Sequence, residues 1–309
     1  MAGVNMDWNG VIPAATTQFA TDYSVDIDAT QKVLDALIRD GVDGIISLGT
    51  VGENNSLDAD EKRKVLSAAI ETSNGRVPII TGVSELTTER AAAYARDAEK
   101  LGADALMLLP AMVYVPTPEE LEAHFRAVAA ATSLPIMLYN NPTIYRVGVN
   151  NSDLKRLADV PNIVAVKESA PDSRRITDII NELGDRYKVL VGLDDVALEG
   201  LLLGACGWIS GLTNAFPEES VALVKAAKER DLDRAIEIYR WFMPMLHLDA
   251  VSDLVQSIKL AEQIMGRGSE RVRMPRMPLA GERRKEVIAM VEKAAANRPV
   301  GVSKTVAAA

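Results

Sequence analysis

The sequence predicts an α/β protein, a (β/α)8 TIM barrel with a C-terminal helical appendage, and three observations lead there. Eight short, nearly continuously apolar runs recur roughly every thirty residues, the length of a βαβ unit. Longer stretches with helical periodicity separate them. No Gly-rich phosphate fingerprint comes after the first run, which disfavours a doubly wound dinucleotide-binding sheet.

The runs are Val11–Thr16, Gly44–Leu48, Val77–Thr81, Ala105–Leu109, Pro135–Tyr139, Ile163–Lys167, Val189–Gly192 and Gly207–Gly211. Their near-continuous hydrophobicity fits parallel strands covered on both faces, where alternation between apolar and polar is lost. The segments between them carry helix signals. Asp28–Arg39 places Val33, Leu34 and Leu37 on one face, and Thr87-Thr88-Glu89-Arg90 opens a helix that Gly102 closes as a C-cap. Pro118-Glu119-Glu120 starts another, with proline in the first turn and acids at the positive end of the helix dipole. Beyond the eighth run, 218–230, 232–248, 253–265 and 281–296 read as four more amphipathic helices. The expected division is a barrel over 8–217, a helical region over 218–296 and a disordered tail over 297–309.

A chain of 309 residues, 48% hydrophobic and 25% charged, buries a large core without disulfides or a structural metal. The single cysteine, Cys206, forms no internal disulfide and reads as a small buried apolar residue, which fits a reducing compartment. The net charge of −9, with no basic run, argues against a nucleic-acid partner. No long apolar stretch indicates a membrane span, and Met1–Trp8 lacks the pattern of a secretory signal, so a cytoplasmic location is expected. The two histidines, His124 and His247, fall on separate predicted helices without metal-ligand spacing, so no metal is expected.

Active sites of such barrels lie at the C-terminal ends of the strands. Lys167 ends the sixth run after four apolar residues. A lysine there is either paired with a carboxylate, such as Glu168, Asp194 or Asp195, or desolvated into a neutral amine able to form an imine with a carbonyl. Tyr139 ends the fifth run, as a packed ring or as a proton carrier beside the amine. Thr50 sits between Gly49 and Gly52 in the turn after the second run. Exposed backbone N–H groups there could hold a carboxylate, or the threonine could be a plain local cap.

Together these segments resemble the dihydrodipicolinate synthase/N-acetylneuraminate lyase family. The resemblance is carried by Gly49-Thr50-Val51-Gly52-Glu53, Leu138-Tyr139-Asn140-Asn141-Pro142 and Val166-Lys167-Glu168-Ser169, supported by Gly10-Val11-Ile12-Pro13-Ala14, and extends from about Trp8 to Ala296. It implies a barrel with a helical extension assembled as a homotetramer, a dimer of dimers. It also implies a small-molecule 2-oxo acid or cyclic imine substrate held as a lysine imine, with no metal or organic cofactor. On that resemblance Lys167 is the imine lysine, Tyr139 the proton-transfer phenol, and Thr50 with the Thr50–Val51 backbone the carboxylate grip. Asn141, Ser169, Gly192 and Ile209 are the further candidates for substrate contact. Ser169 reads equally as the N-cap of the helix after the sixth strand.

The chain departs from the synthases of that family at several places. Val51 stands where a second hydroxyl residue is usual. After the fourth strand Pro110-Ala111-Met112-Val113-Tyr114 holds one displaced tyrosine in place of a pair, which puts the synthases' Thr–Tyr–Tyr proton relay in doubt. Arg146 falls later than the synthases' arginine, either as a contact for a second carboxylate or as a solvated loop residue; Asn140 and Asn141 offer amide contacts. The departures, together with Leu48–Asn54, Leu109–Tyr114 and Tyr239–Pro244, look most like the deaminases of Δ1-pyrroline-4-hydroxy-2-carboxylate in hydroxyproline catabolism. The expected reaction is therefore deamination of that cyclic imine to 2,5-dioxopentanoate and ammonia. A dehydratase of 2-keto-3-deoxy sugar acids, a retro-aldol lyase releasing pyruvate, dihydrodipicolinate synthase itself, and a barrel kept only for binding are the alternatives.

Overall fold

The computed structural model describes residues 6–111, 113–299 and 301. Its elements run β1 (Gly10–Pro13), α1 (Ile27–Arg39), β2 (Ile45–Ser47), α2 (Ala59–Ser73), β3 (Ile79–Val83), α3 (Thr88–Leu101), β4 (Ala105–Leu108), α4 (Pro118–Ala129) and β5 (Ile136–Asn140). They continue with α5 (Pro142–Tyr145), α6 (Asn151–Arg156), β6 (Ile163–Glu168), α7 (Arg174–Leu183), β7 (Lys188–Val191), α8 (Ala197–Leu202) and β8 (Gly207–Ser210). Four helices complete the chain: α9 (Pro217–Lys228), α10 (Leu232–Leu246), α11 (Leu254–Ile264) and α12 (Gly281–Ala296).

The eight strands form one parallel sheet, ordered β1-β8-β7-β6-β5-β4-β3-β2. The ring closes where Ala14 bridges Ile46 and the Ala15 N–H donates to the Ile46 carbonyl at 2.8 Å. Strand alternation sorts side chains into two cores. Inside the barrel Ile12, Ile46, Ile80, Met107, Met137, Ala165, Leu190 and Ile209 pack together. A larger core between sheet and helices takes the opposite face, including Leu106, Leu138, Val166 and Val191. In β6, Lys167 lies two residues beyond Ala165, so the period of two points it into the barrel at the carboxyl end. Tyr139 succeeds Met137 in the same way, and β5 and β6 pair Tyr139 with Lys167.

The caps form as the sequence suggests. Thr87 accepts from Arg90 N, Gly102 ends α3 at φ 96°, and Pro118 opens α4 with Glu119 and Glu120 in its first turn, where Thr117, not read from the sequence, adds a capping box with Glu120. Element ends differ by a few residues from expectation. β1 stops at Pro13 because Ala14 and Ala15 leave it to bridge β2, and α10 ends at Leu246, succeeded by a 3-10 turn over His247–Asp249. His247 is thus in an exposed turn, its Nδ1 2.8 Å from Asp195 Oδ2. Cys206 is less buried than expected; its thiol donates to the Trp8 carbonyl at 2.9 Å. Among the described residues no helix is long and apolar enough to cross a membrane. Most of the expected disordered tail, and Met112, lie outside the described residues.

Candidate active site

Lys167 projects into a cavity at the mouth of the barrel lined also by Thr50, Val51, Tyr139, Asn141, Gly192 and Ile209. Seven of the eight predicted site residues therefore meet in one place. Its Nζ lies 4.0 Å from the centroid of the Tyr139 ring. Burial brings the amine down from its ordinary value to about 8, and the Asp249 and Asp194 charges oppose that only in part. Of the carboxylate partners suggested by sequence, Glu168 is excluded. It accepts from Asn140 Nδ2 at 2.8 Å and pairs with Arg175 at 2.9 Å, because the residue after Lys167 points out of the barrel toward α7. Asp194 and Asp195 are engaged elsewhere as well. Trp208 Nε1 donates to Asp194 at 3.0 Å and Leu212 N at 2.9 Å, and Asp195 takes His247. Among the described residues Lys167 has no ion-pair partner at contact distance.

Tyr139 receives a hydrogen bond from Asn141 Nδ2 at 3.1 Å, and burial pushes its phenol up to about 12, the Asn141 bond opposing. A residue overlooked in the sequence completes this wall. Tyr145, ending the one-turn helix α5, stands edge-on to Tyr139 with centroids 5.6 Å apart, and its hydroxyl shares a hydrogen bond with Thr50 Oγ1. Burial raises its phenol well above the usual value, the neighbouring Tyr139 phenol adding to this. Asn141 organises the whole wall. Its Oδ1 caps α5 by accepting from Ile144 N at 3.0 Å, Pro142 fixes the first helical position, and the single turn swings Tyr145 back over the mouth. The signal was present as Asn141-Pro142, an N-cap and then a proline, four residues ahead of a tyrosine. A hydroxyl–phenol–phenol cluster of Thr50, Tyr145 and Tyr139 thus stands in one chain, although the loop after β4 supplies no tyrosine to it; Tyr114 is exposed.

Thr50 is consequently no local cap. The turn that carries it is held from outside. Thr17 Oγ1 donates to the Gly52 carbonyl at 2.7 Å, Asn54 Nδ2 donates to Leu48 O at 2.9 Å and Gly82 O at 3.0 Å, and Glu53, at φ 55°, forms a fully buried ion pair with Lys259 of α11 at 2.9 Å. Val51 is buried in the cavity wall.

Three candidates lie outside the cavity lining, and for Arg146 the solvated-loop reading is the one that holds. Ser169 does not cap a helix, since α7 starts after Ser173; its buried hydroxyl stands beside the Lys167 side chain at Gly192 and lowers the Tyr139 phenol, although it is not among the cavity-lining residues. Asn140 is turned away from the mouth to hold Glu168 and to accept from Val149 N at 2.8 Å. Arg146 is exposed, at φ 58°, and outside the cavity lining. The 3-10 turn after α10 brings Asp249 into the lining, a residue no strand-end reading reaches. Gly192 leaves the room Lys167 needs, since a Cβ there would sit 2.5 Å from Lys167 Cγ and 2.3 Å from Ser169 Oγ. Among the described residues no cluster of three or more His, Cys, Asp or Glu is arranged to hold a metal.

The Dihydrodipicolinate synthetase family profile matches residues 7–294. The chain is 34% identical over 279 residues to the 4-hydroxy-tetrahydrodipicolinate synthase of Methanocaldococcus jannaschii, covering 90% of this chain and 96% of that one. It is 32% identical to the enzyme of the same name from Koribacter versatilis, covering 98% and 100%. Among solved structures, the dihydrodipicolinate synthase of Acinetobacter baumannii complexed with pyruvate superposes with TM-score 0.90 at 31% identity, over 94% of this chain and 99% of that one. YagE of E. coli K12, a family protein in complex with pyruvate, gives 0.88 at 28% identity, over 93% and 99%.

Proposed function

Because the chain belongs to the dihydrodipicolinate synthetase family of class I, lysine-imine lyases, we propose that Lys167 forms a Schiff base with C2 of a 2-oxo acid or of its cyclic imine. The observation that carries this reading is the Lys167 amine itself: buried, without a contact ion pair, brought down to about 8 and set 4.0 Å from the Tyr139 ring. A neutral amine attacks the carbonyl carbon; the carbinolamine then expels water once its oxygen is protonated. Tyr139 is the proton carrier of that step, supplied through Tyr145 and Thr50. The substrate carboxylate is assigned to Thr50 and the Thr50–Val51 backbone. The protonated imine is the electron sink for the bond changes at C3 and C4, so the chemistry needs no metal or organic cofactor.

Within that chemistry the proposed reaction is deamination of Δ1-pyrroline-4-hydroxy-2-carboxylate. Lys167 opens the ring by transimination, freeing the ring nitrogen as a primary amine on C5. Loss of the C3 proton and the C4 hydroxyl releases water. Tautomerisation moves the unsaturation to C5, and hydrolysis there and at Lys167 gives 2,5-dioxopentanoate and ammonia. This choice rests on the departures from the synthases alone. Val51 offers no side-chain hydroxyl, and among the described residues lining the cavity Lys167 is the only Lys or Arg, so none of them gives a second substrate carboxylate a side-chain cation.

The names of the relatives support a second reading, condensation of lysine-bound pyruvate with an aldehyde, as in 4-hydroxy-tetrahydrodipicolinate synthase. A substrate panel with product mass analysis separates them. Ammonia with 2,5-dioxopentanoate supports the deaminase, whereas turnover only of pyruvate with an aldehyde, or only of keto-deoxy sugar acids, excludes it. Assembly as a homotetramer is part of the same proposal and is read by sedimentation.

A further inference from the structure

The barrel mouth holds one group that imine formation leaves unused. Asp249 comes from the 3-10 turn between α10 and α11, outside the strand ends, yet its carboxyl lines the same cavity as Lys167. It also lines an adjoining cavity formed with Thr143, Ile144, Pro171 and Leu193. It therefore faces both the chamber that holds Lys167 and the cavity next to it. Gly211 at the end of β8 makes way for it, since a Cβ there would sit 2.7 Å from Asp249 Oδ1.

Its neighbour Asp194 shows by contrast what is special about it. Asp194 accepts from the Trp208 indole, the Ser210 hydroxyl and the Leu212 amide at 2.9–3.2 Å, and so serves as a strut. Asp249 makes a single long bond, from Asp194 N to Oδ2 at 3.4 Å, and its Oδ1 has no protein donor among the described residues. Burial raises both carboxyls above the ordinary carboxylate range. The positive charge of Lys167 lowers Asp249, and the Asp195 carboxylate, itself beside His247, raises it. Such a group takes up and gives back a proton easily near neutrality.

Resting on the Schiff-base reading, we propose that Asp249 is the acid–base residue of the carbon chemistry, moving a proton from C3 of the imine to an oxygen on C4. In the first step the Asp249 carboxylate takes the C3 proton. The C–H pair becomes the C2=C3 bond and the imine nitrogen recovers its lone pair, so iminium and carboxylate become neutral together. In the second step the carboxylic acid gives that proton to the C4 hydroxyl. The C4–O bond breaks and water leaves, while the nitrogen lone pair restores the iminium and the C2=C3 pair becomes C3=C4. Each step transfers charge between two groups facing one cavity and leaves no lone buried ion, the costly alternative. The substrate class is thereby 2-oxo acids, or cyclic imines equivalent to them, that carry oxygen on C4.

The test compares the wild-type protein with Asp249→Asn, which keeps the shape and the acceptor for Asp194 N. Each is treated with pyruvate and borohydride, read by intact mass, and each is monitored in D2O for exchange of the pyruvate methyl protons. Both proteins are expected to gain the reduced pyruvate adduct. The variant is expected to lose exchange by about 10²-fold or more. A wild type that gains no adduct overturns the Schiff-base reading and this proposal with it. A variant that forms the adduct and exchanges at the wild-type rate overturns this proposal alone and leaves Tyr139 to take the proton. If Asp249→Asn forms no adduct, Asp249→Ser is read the same way, and adduct without exchange in it sustains the assignment; a second failure to form the adduct makes Asp249 part of imine formation and refutes the assignment to C3.

Discussion

Thr50 and Tyr145, 95 residues apart in sequence, share a hydrogen bond between their hydroxyls at the mouth of the barrel. The bond joins the turn after β2 to the one-turn helix after β5, and it places a phenol between Thr50 and Tyr139. Tyr145→Phe keeps the edge-on ring contact and removes the hydroxyl. The variant is expected to form the pyruvate imine about 10²-fold more slowly, with an unchanged melting temperature. Stopped-flow or quenched borohydride trapping measures the rate; an unaltered rate would remove Tyr145 from the proton path.

Imine formation should track the ionisation of Lys167. Burial lowers its pKa to about 8, so about a tenth of the amine is neutral at pH 7, against less than about a thousandth for an ordinary lysine. The trapping rate with pyruvate is expected to rise tenfold per pH unit below that value and to level off above it. A rise continuing to pH 10 would show that the amine is not depressed.

The same burial has a thermodynamic consequence. The folded protein holds the Lys167 proton less tightly than the unfolded chain, so the group destabilises the fold fully below pH 8, and the penalty disappears between pH 8 and 10.5. Lys167→Met fills the same volume without the amine. It is expected to stabilise the inactive protein by on the order of 3 kcal/mol at pH 7, seen in urea unfolding, with the gain shrinking as pH rises. A variant less stable than the wild type would count against the depressed amine.

The turn carrying Thr50 depends on the Glu53–Lys259 pair, in which both side chains are fully buried. Lys259→Ala leaves the Glu53 carboxylate without its buried partner and is expected to cost about 3–5 kcal/mol, measured by chemical denaturation. Thr50 should lose its position as well, so KM for the 2-oxo acid rises in whatever folded fraction remains. A loss under about 1 kcal/mol would show that the pair is relaxed or hydrated.

Gly192 is the steric counterpart of Lys167. The Cβ of Gly192→Ala would overlap Lys167 Cγ and Ser169 Oγ. Neither can retreat far inside a packed barrel, so the adduct is expected to form at least about tenfold more slowly while the far-ultraviolet dichroism stays the same. Normal trapping would mean that the lysine has more room than the close approach suggests.

The barrel was legible because each parallel strand is covered on both faces and therefore reads as an apolar run, and because Thr87, Gly102 and Pro118 carry the chemistry of helix ends in single residues. The strand-end rule brought Lys167, Tyr139 and Thr50 together correctly. It could not reach Asp249, which arrives from a turn of the helical extension, nor Tyr145, whose direction is set by the cap on Asn141. It also offered Asn140, which the structure turns away from the mouth. On a strand, adjacent residues face opposite ways, and Asn140 comes directly after the inward Tyr139. Substrate choice was read from Val51, Met112 and Arg146, yet the structure puts Arg146 outside the cavity and the comparisons give the synthase name to the relatives. Single departures in loops are weak guides to what a shared imine is used for.

The central claim, that Lys167 is the imine nucleophile, is tested most directly by borohydride reduction in the presence of pyruvate and subsequent peptide mapping. The predicted result is one adduct per chain, located on the peptide containing Lys167 and absent from Lys167→Ala. An adduct on another lysine, or the same adduct and turnover in Lys167→Ala, would contradict it.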